Sequence, residues 1–326
     1  MRAVQVTRFG GPEVLVAAEV PDPVAGPGQV VVGVEVAEIN FVETQLRRGI
    51  TPGPPLPEPP YVPGGGVAGR VVSVGEDVDP DWKGRRVTVS TAAGRGGNAE
   101  LAVAEADGLV EVPEGLGLPE AAALLHDGGT AVGLVDRAGI RAGDWVLVEA
   151  AAGGLGSLLV QLALGAGARV IAAVGSGPKA ELARELGAEV VVDYTRDGWT
   201  DLVRRGTGGQ GPDVVFDGVG GPIGRAAFEV TARGGTFSVH GASSGSATTI
   251  DPAEAAGRGV TVIGLDQLFG LSEPDGARLR TERALAAATA GHIRPVIGRT
   301  FPLERAADAH AAMEARAVPG KTLLTL

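Results

Sequence analysis

The chain contains no cysteine, few aromatic residues and few lysines. The absence of cysteine excludes disulfides and thiolate metal ligands. Aromatic residues make up only 4% of the 326 positions, so Val, Leu and Ala must fill most of the core, and a hydrophobic content of 44% is sufficient for that. A chain of this length is too long for one ordinary core and indicates two domains.

Positive charge is also scarce, and the net charge is −11. An acidic chain repels the phosphates of nucleic acids and of anionic lipids, so we expect neither nucleic acid nor a membrane surface as a partner. The most apolar stretch, residues 145–174, is interrupted by Glu149 and Arg169 and is typical of strand, helix and strand rather than of a membrane span. Residues 1–5 lack the apolar core of a signal peptide, so we predict a cytoplasmic protein.

The hydrophobic pattern changes near residue 120. Before it, short Val-rich runs bounded by Gly, Pro or Asp predict strands at 29–36, 67–74, 86–90 and 99–104. After it, strands and helices alternate, which predicts a Rossmann-type doubly wound parallel sheet. The predicted strands are 145–150, 169–174, 189–192, 213–216, 235–240 and 260–264, and the clearest helices are 155–162 and 179–186.

Two domains follow from this change of pattern. We predict a β-rich domain over residues 1–120, completed by residues 265–326, and a nucleotide-binding domain over residues 121–264. The final apolar run, residues 321–324, is predicted to be a strand that returns to the first domain.

A glycine-rich turn joins the strand 145–150 to the helix that follows it. Gly153 and Gly154 allow the backbone to approach a pyrophosphate, and Gly156 allows the helix to pack closely on the strand. The start of the helix offers unpaired N–H groups and the positive end of its dipole. A plain tight turn is the alternative, but the strand and helix on either side favour a dinucleotide site.

The next strand, residues 169–174, indicates which dinucleotide binds. An NAD site usually has Asp or Glu at the end of this strand to bind the ribose hydroxyl. Here no acid occurs before Glu181, Ser176 leaves room for a 2′-phosphate, and Lys179 supplies a cation. Tyr194 follows the third strand, where its ring can stack or its hydroxyl can donate a hydrogen bond nearby. We therefore predict NADPH, although Lys179 is alternatively a solvated lysine at the start of a helix.

With these features the chain resembles the medium-chain dehydrogenase/reductases, and within that superfamily the quinone oxidoreductases. The resemblance covers essentially the whole chain and implies a GroES-like catalytic domain beside the Rossmann domain. The matching segments are 39–44, 63–69, 74–75, 97–100, 129–131, 150–156, 217–220 and 320–321.

The resemblance also implies roles for individual residues. Asn40 is expected near the nicotinamide ribose and the substrate, and Thr130 against the nicotinamide or its ribose. The remaining cofactor-binding residues that it implies are Gly153, Gly154, Leu155, Ser176, Lys179, Tyr194, Val219, His240 and Gly241.

Two departures from the superfamily bear on the chemistry. Zinc-dependent members use Cys and His ligands, but here cysteine is absent and the usual Gly-His-Glu stretch reads Gly64-Gly65-Gly66, so we predict no metal. Glu43 stands where quinone reductases commonly have Asp. An ion pair with Arg47, four residues on along a surface helix, is an alternative role for Glu43.

The sequence alone does not identify the proton donor. Related enoyl reductases can use a tyrosine near residues 45–51, but the only tyrosines here are Tyr61 and Tyr194. His126 can donate a proton, with Asp127 affecting its pKa. The alternative, which the residue pattern alone favours, is a histidine with a structural hydrogen bond.

We therefore predict an NADPH-dependent, zinc-independent reductase that transfers hydride to a quinone or another conjugated carbonyl. One alternative is an enoyl-thioester reductase of the same superfamily. Another is a nucleotide-binding protein with weak catalysis that serves as an interaction module. A homodimer is predicted through the last strand of the nucleotide-binding sheet, residues 260–265, whose open edge a second copy can pair.

Overall fold

The computed structural model describes residues 1–51, 55–264, 267 and 274–326, with only the backbone described at 274 and 275. The described chain forms two units. The first contains Met1–Gly129, Thr281–Thr289 and Pro295–Leu326, and the second contains Thr130–Arg280 and Ala290–Arg294. Of the segment predicted to complete the first domain, residues 265, 266 and 268–273 lie outside the described residues.

The strands are numbered in chain order. They are β1 Arg2–Val6, β2 Leu15–Glu19, β3 Gln29–Ile39, β4 Gly66–Val74, β5 Arg86–Ser90, β6 Leu101–Glu105, β7 Val110–Glu111, β8 Trp145–Glu149, β9 Arg169–Val174, β10 Val190–Asp193, β11 Val214–Asp217, β12 Thr236–Val239, β13 Thr261–Ile263, β14 Ile297–Pro302 and β15 Lys321–Thr325.

The α-helices are numbered in the same way. They are α1 Phe41–Arg47, α2 Leu118–Ala138, α3 Gly154–Gly165, α4 Gly177–Glu185, α5 Trp199–Gly206, α6 Gly221–Val230, α7 Pro252–Arg258, α8 Pro274–Thr289 and α9 Ala306–Glu314.

The first unit is built on one large sheet with the order β14-β15-β3-β4-β5-β7, and β6 also pairs with β3. β1 and β2 form a separate antiparallel pair. The core of the first unit consists mainly of valine and alanine side chains, as the scarcity of aromatic residues requires. β15 runs antiparallel to β3 with Leu323 opposite Glu38, which confirms that the C-terminal strand returns to this sheet.

The second unit contains a parallel sheet with the order β10-β9-β8-β11-β12-β13. This order confirms the predicted doubly wound fold. All five residues of β8 are buried, as expected for a strand covered by helices on both faces. The direction of winding reverses between β8 and β11, and sheets of this type bind ligands at the carboxyl ends of the strands beside such a point.

None of the helices in the described ranges combines the length and apolar character that crossing a membrane requires.

Candidate active site

Four neighbouring strands of the first unit place a row of residues at one end of its sheet. Ser90 is the last residue of β5 and lies opposite Gly66, the first residue of β4. Glu38 lies near the end of β3, and Lys321 is the first residue of β15, the strand on its other side. Helix α2 adds His126 to this row, so residues far apart in sequence form one polar cluster.

Glu38 is the anionic centre of this cluster and is fully buried. Its Oε1 atom is hydrogen-bonded to Nδ1 of His126, and its Oε2 atom lies 2.6 Å from Nζ of Lys321. Burial alone would raise the pKa of the Glu38 carboxyl, but the two cationic neighbours lower it to about 2. Glu38 is therefore a carboxylate at all pH values near neutrality.

His126 connects this buried carboxylate to the surface. Its Nε2 atom lies 3.0 Å from Oγ of Ser90, an exposed residue. Burial alone would lower the pKa of His126, but the charge of Glu38 and the hydrogen bond to it raise that pKa above its usual value. In the protonated form both ring nitrogens donate, one to Glu38 and the other to Ser90.

Gly66 provides the space that the cluster occupies. A Cβ atom at this position would lie 2.4 Å from Oε1 of Glu38 and 2.6 Å from Cδ2 of Leu125. It would also lie 3.0 Å from Cε1 of His126. The last glycine of the Gly64-Gly65-Gly66 stretch is thus needed for Glu38 and His126 to meet.

Lys321 links the cluster to Asn40. Its Nζ atom donates to Oδ1 of Asn40 over 2.6 Å and lies 3.2 Å from Oδ2 of Asp127. Burial would lower the pKa of Lys321, but Asp127 and Glu38 raise it, so the ammonium keeps its charge. Because the amide oxygen of Asn40 accepts this hydrogen bond, the amide nitrogen is the polar end of the Asn40 side chain that Lys321 does not contact.

Asp127 has a different partner from the predicted one. Its carboxylate faces Lys321, and burial raises its pKa more than the lysine lowers it. Asp127 raises the pKa of His126 by less than Glu38 does. The sequence therefore pointed to His126 as a candidate but not to Glu38, its main partner.

The structure contradicts the alternative role of Glu43 as a partner of Arg47 in a surface ion pair. Arg47 is fully buried and bonds to Glu314 of α9. Glu43 is also buried and accepts the backbone N–H of Asn40 at the start of α1, over 3.3 Å. Burial and the charge of Glu38 raise the pKa of Glu43 to about 7.

In the second unit, the residues predicted to bind the cofactor follow the carboxyl ends of neighbouring parallel strands. Gly153 precedes α3, and Gly154 and Leu155 are its first residues. A Cβ at Gly156 would lie only 2.3 Å from the carbonyl oxygen of Ala150, so glycine is required where the helix packs on the turn. This geometry gives the unpaired N–H groups of a helix start that a pyrophosphate needs.

The end of β9 fits a phosphorylated ribose. β9 ends at Val174 without an acidic residue, Ser176 immediately precedes α4, and Lys179 lies in the first turn of that helix. Tyr194 lies beside this turn, because its backbone N–H donates to the carbonyl oxygen of Val174 over 3.0 Å. A Cβ at Gly175 would lie 3.1 Å from the ring of Tyr194, so a larger residue here would press against that ring.

A buried pair of carboxyl groups, which sequence reasoning missed, shapes the loop after β11. Oδ1 of Asp217 accepts the backbone N–H groups of Val219 and Gly220 over 3.1 and 2.7 Å. Glu149, at the end of β8, is fully buried, and burial together with the charge of Asp217 raises its pKa well above the usual value. The raised pKa favours the protonated form of Glu149, and the strands that carry these two residues flank the point where winding reverses.

The last two predicted cofactor-binding residues, His240 and Gly241, follow β12. His240 and Gly241 donate their backbone N–H groups to the carbonyl oxygen of Asp217 over 2.9 and 3.2 Å. Burial lowers the pKa of His240 to about 4, so its ring is neutral. Thr130 lies within α2.

Two family models match the chain. Residues 26–114 match the alcohol dehydrogenase GroES-like domain, and residues 154–270 match the zinc-binding dehydrogenase model. The first match falls in the first unit and the second match falls in the second unit.

Whole-length relatives agree with these matches. Quinone oxidoreductase of Sus scrofa is 32% identical over 330 residues, covering 100% of this chain and 98% of the relative. A 2-haloacrylate reductase of a Burkholderia species is 33% identical, covering 99% of this chain and 98% of the relative. The structure of Escherichia coli quinone oxidoreductase complexed with NADPH is similar with a TM-score of 0.92 and 27% identity, and the match covers 100% of both chains.

Proposed function

This chain belongs to the quinone oxidoreductase family of the medium-chain dehydrogenase/reductase superfamily, and we propose that it is an NADPH-dependent reductase of quinones or other conjugated carbonyls. The observation that carries the proposal is the acid-free end of β9 beside Ser176 and Lys179, next to the glycine turn that starts α3. Whole-length relatives named as quinone oxidoreductase and 2-haloacrylate reductase support reduction as the reaction.

NADPH supplies a hydride when it is bound. The protein residues must then bind the carbonyl and stabilise the negative charge that develops on its oxygen. Asn40 is suited to this role because Lys321 holds its amide oxygen, which leaves the amide N–H groups to donate. We propose Asn40 as the hydrogen-bond donor to the substrate carbonyl and His126 as the source of the proton.

Zinc independence is part of the proposal. The sequence has no cysteine, and glycines occupy the stretch where zinc-dependent relatives have a His ligand. The match to the zinc-binding dehydrogenase model covers residues 154–270, which do not include that stretch. Metal analysis of the purified protein should find no stoichiometric zinc, and a chelator should leave turnover unchanged. Stoichiometric zinc whose removal abolishes turnover would refute this part.

The closest rival among enzymes is an enoyl-thioester reductase. Reduction of a C=C bond requires an acid placed to protonate carbon. The contact of His126 with Ser90 supplies such a group, so this candidate remains. A nucleotide-binding protein with weak catalysis is the rival from another class.

Steady-state NADPH oxidation separates these functions. Phenanthrenequinone, cyclohexenone and a crotonyl thioester are compared, each with NADPH and with NADH. We expect turnover of the quinone or the enone, with kcat/KM at least tenfold higher for NADPH, a difference of about 1.4 kcal/mol. Preference for the thioester would favour the enoyl reductase, and tight cofactor binding without turnover would favour the binding protein.

The predicted cytoplasmic location and homodimer stay predictions. β13 is the outer strand of the parallel sheet in the described structure, which is the arrangement that edge pairing between two copies requires.

A further inference from the structure

A continuous chain of contacts leads from the buried carboxylate to the protein surface. It runs from Glu38 through the two ring nitrogens of His126 to the hydroxyl of Ser90. Glu38 is fully buried, the side chain of His126 is 39% exposed, and Ser90 is exposed. Because both nitrogens of His126 are engaged, a proton that leaves the ring toward solvent passes first to Ser90.

We propose that Ser90 is the terminal proton donor of the reduction, that His126 returns a proton to it, and that Glu38 is the positioning residue for His126. This relay deepens the proposed function and rests on it. It assigns roles to Ser90 and Glu38, which belong neither to the glycine motif nor to the predicted cofactor-binding residues.

The proton steps balance without a further reactant. Hydride addition to the β-carbon of an enone breaks the C=C bond and places an electron pair on the carbonyl oxygen, forming an enolate. The O–H bond of Ser90 then breaks as its proton passes to the enolate, and the Nε2–H proton of His126 passes to Oγ of Ser90. His126 is left neutral, still bonded through Nδ1 to Glu38, and regains a proton from water.

The charges around His126 favour its protonated form, which can act as an acid. Glu38 and Asp127 raise the pKa of His126, and Lys321 lowers it by less than Glu38 raises it. The buried Glu43 carboxyl lies near the same carboxylate. Serine, histidine and a carboxylate in this order also occur in hydrolases, where a neutral histidine takes the proton of a nucleophilic serine. Here Glu38 raises the pKa of the histidine above its usual value and so favours the protonated ring, in which Nε2 donates to Ser90, and Ser90 keeps its proton until the substrate accepts it.

The position of the relay fits the proposed reaction. Lys321 contacts Glu38 on one side and donates to Asn40 on the other, so the proposed carbonyl ligand and the proton source belong to one cluster.

The relay predicts which substrates depend on it. The product of enone reduction must receive a proton at a basic enolate, and general acids at such steps contribute about 100- to 10,000-fold. The oxygens of a reduced quinone are less basic and exchange protons directly with water. Loss of the relay should therefore slow enone reduction much more than quinone reduction.

The test compares four variants with the wild type on cyclohexenone and phenanthrenequinone at saturating NADPH. Ser90→Ala removes the donor and Ser90→Thr keeps a hydroxyl. His126→Gln removes the ionisable ring, and His292→Gln is its matched control at an exposed histidine outside the cluster. Ser90→Ala and His126→Gln should lower enone kcat at least tenfold more than quinone kcat. Ser90→Thr should recover most of the enone rate.

The pH profile supplies a readout that a structural role would not change. Since the acid form of His126 is active, wild-type enone turnover should fall as pH rises through its raised pKa, and His126→Gln should lose this dependence. Equal losses on both substrates, or an unchanged pH profile in His126→Gln, would overturn the relay. If His126→Gln does not fold, the exposed Ser90 variants decide alone. A wild type that reduces neither substrate refutes the proposed function instead.

Discussion

The need for glycine at position 66 can be tested by adding a single methyl group. In Gly66→Ala, the new Cβ would lie 2.4 Å from Oε1 of Glu38 and 2.6 Å from Cδ2 of Leu125, whereas favourable contacts between such atoms begin near about 3.5 Å. Glu38 must therefore move by about 1 Å, away from His126 or Lys321. Overpacking costs about 1–3 kcal/mol, and breaking a buried ion pair about 3–5 kcal/mol. We expect a loss of about 2–4 kcal/mol in the free energy of unfolding.

Gly65→Ala is the matched control, because the nearest atom to its new Cβ is the carbonyl oxygen of Gly94 at 3.5 Å. Its expected effect is within about 0.5 kcal/mol. Urea unfolding followed by circular dichroism measures both variants. In a Glu38→Ala background part of the cost of Gly66→Ala should disappear, since the clash with the carboxylate is gone while the contact with Leu125 stays. Equal stability of the two alanine variants, or full additivity with Glu38→Ala, would refute this account of the cluster.

Three further predictions concern the cofactor, a buried acid and the assembly. Lys179→Ala should weaken NADPH binding about tenfold and leave NADH nearly unchanged in a fluorescence titration, and a parallel loss for both would show an effect on folding instead. Glu43 has a pKa of about 7 when folded against 4.5 as its ordinary value, so its ionisation opposes folding increasingly as pH rises between those values. Glu43→Gln should therefore raise the free energy of unfolding by up to about 3 kcal/mol at a pH above 7 and by little below 4.5. An equal effect in both pH ranges would contradict this. Light scattering should give the mass of a dimer for the wild type and of a monomer for Val262→Pro, which removes a backbone donor from β13, whereas a monomeric wild type would exclude the dimer.

The nucleotide-binding sheet could be predicted closely from the sequence because each signal is local. Parallel strands are continuous apolar runs, and glycine turns bound them. The predicted strand 169–174 coincides with β9, and 86–90 in the other sheet coincides with β5. The start of α3 follows from the glycine turn in the same way.

The proton cluster could not be predicted because its contacts join distant parts of the chain. The predicted strand 29–36 stopped short of Glu38, whereas β3 continues to Ile39. The last four residues of β3 are all buried, so the alternation of buried and exposed residues that identifies a strand in a sequence is absent there. Asp127 seemed the natural partner of His126, but consecutive residues on a helix do not face each other. Only the order of β5, β4, β3 and β15 brings Ser90, Glu38 and Lys321 together. The sequence signals for Lys321 were the rarity of lysine and its place in the matching segment 320–321.

Transfer of deuterium from labelled cofactor tests the central claim most directly. The protein is incubated with cyclohexenone and NADPH carrying deuterium at the transferable position of the nicotinamide, and the product is analysed by NMR. The account predicts deuterium at the β-carbon of the saturated ketone and hydrogen of solvent origin at the α-carbon. Consumption of the cofactor with formation of a saturated ketone that carries no deuterium at the β-carbon would contradict a hydride-transferring reductase.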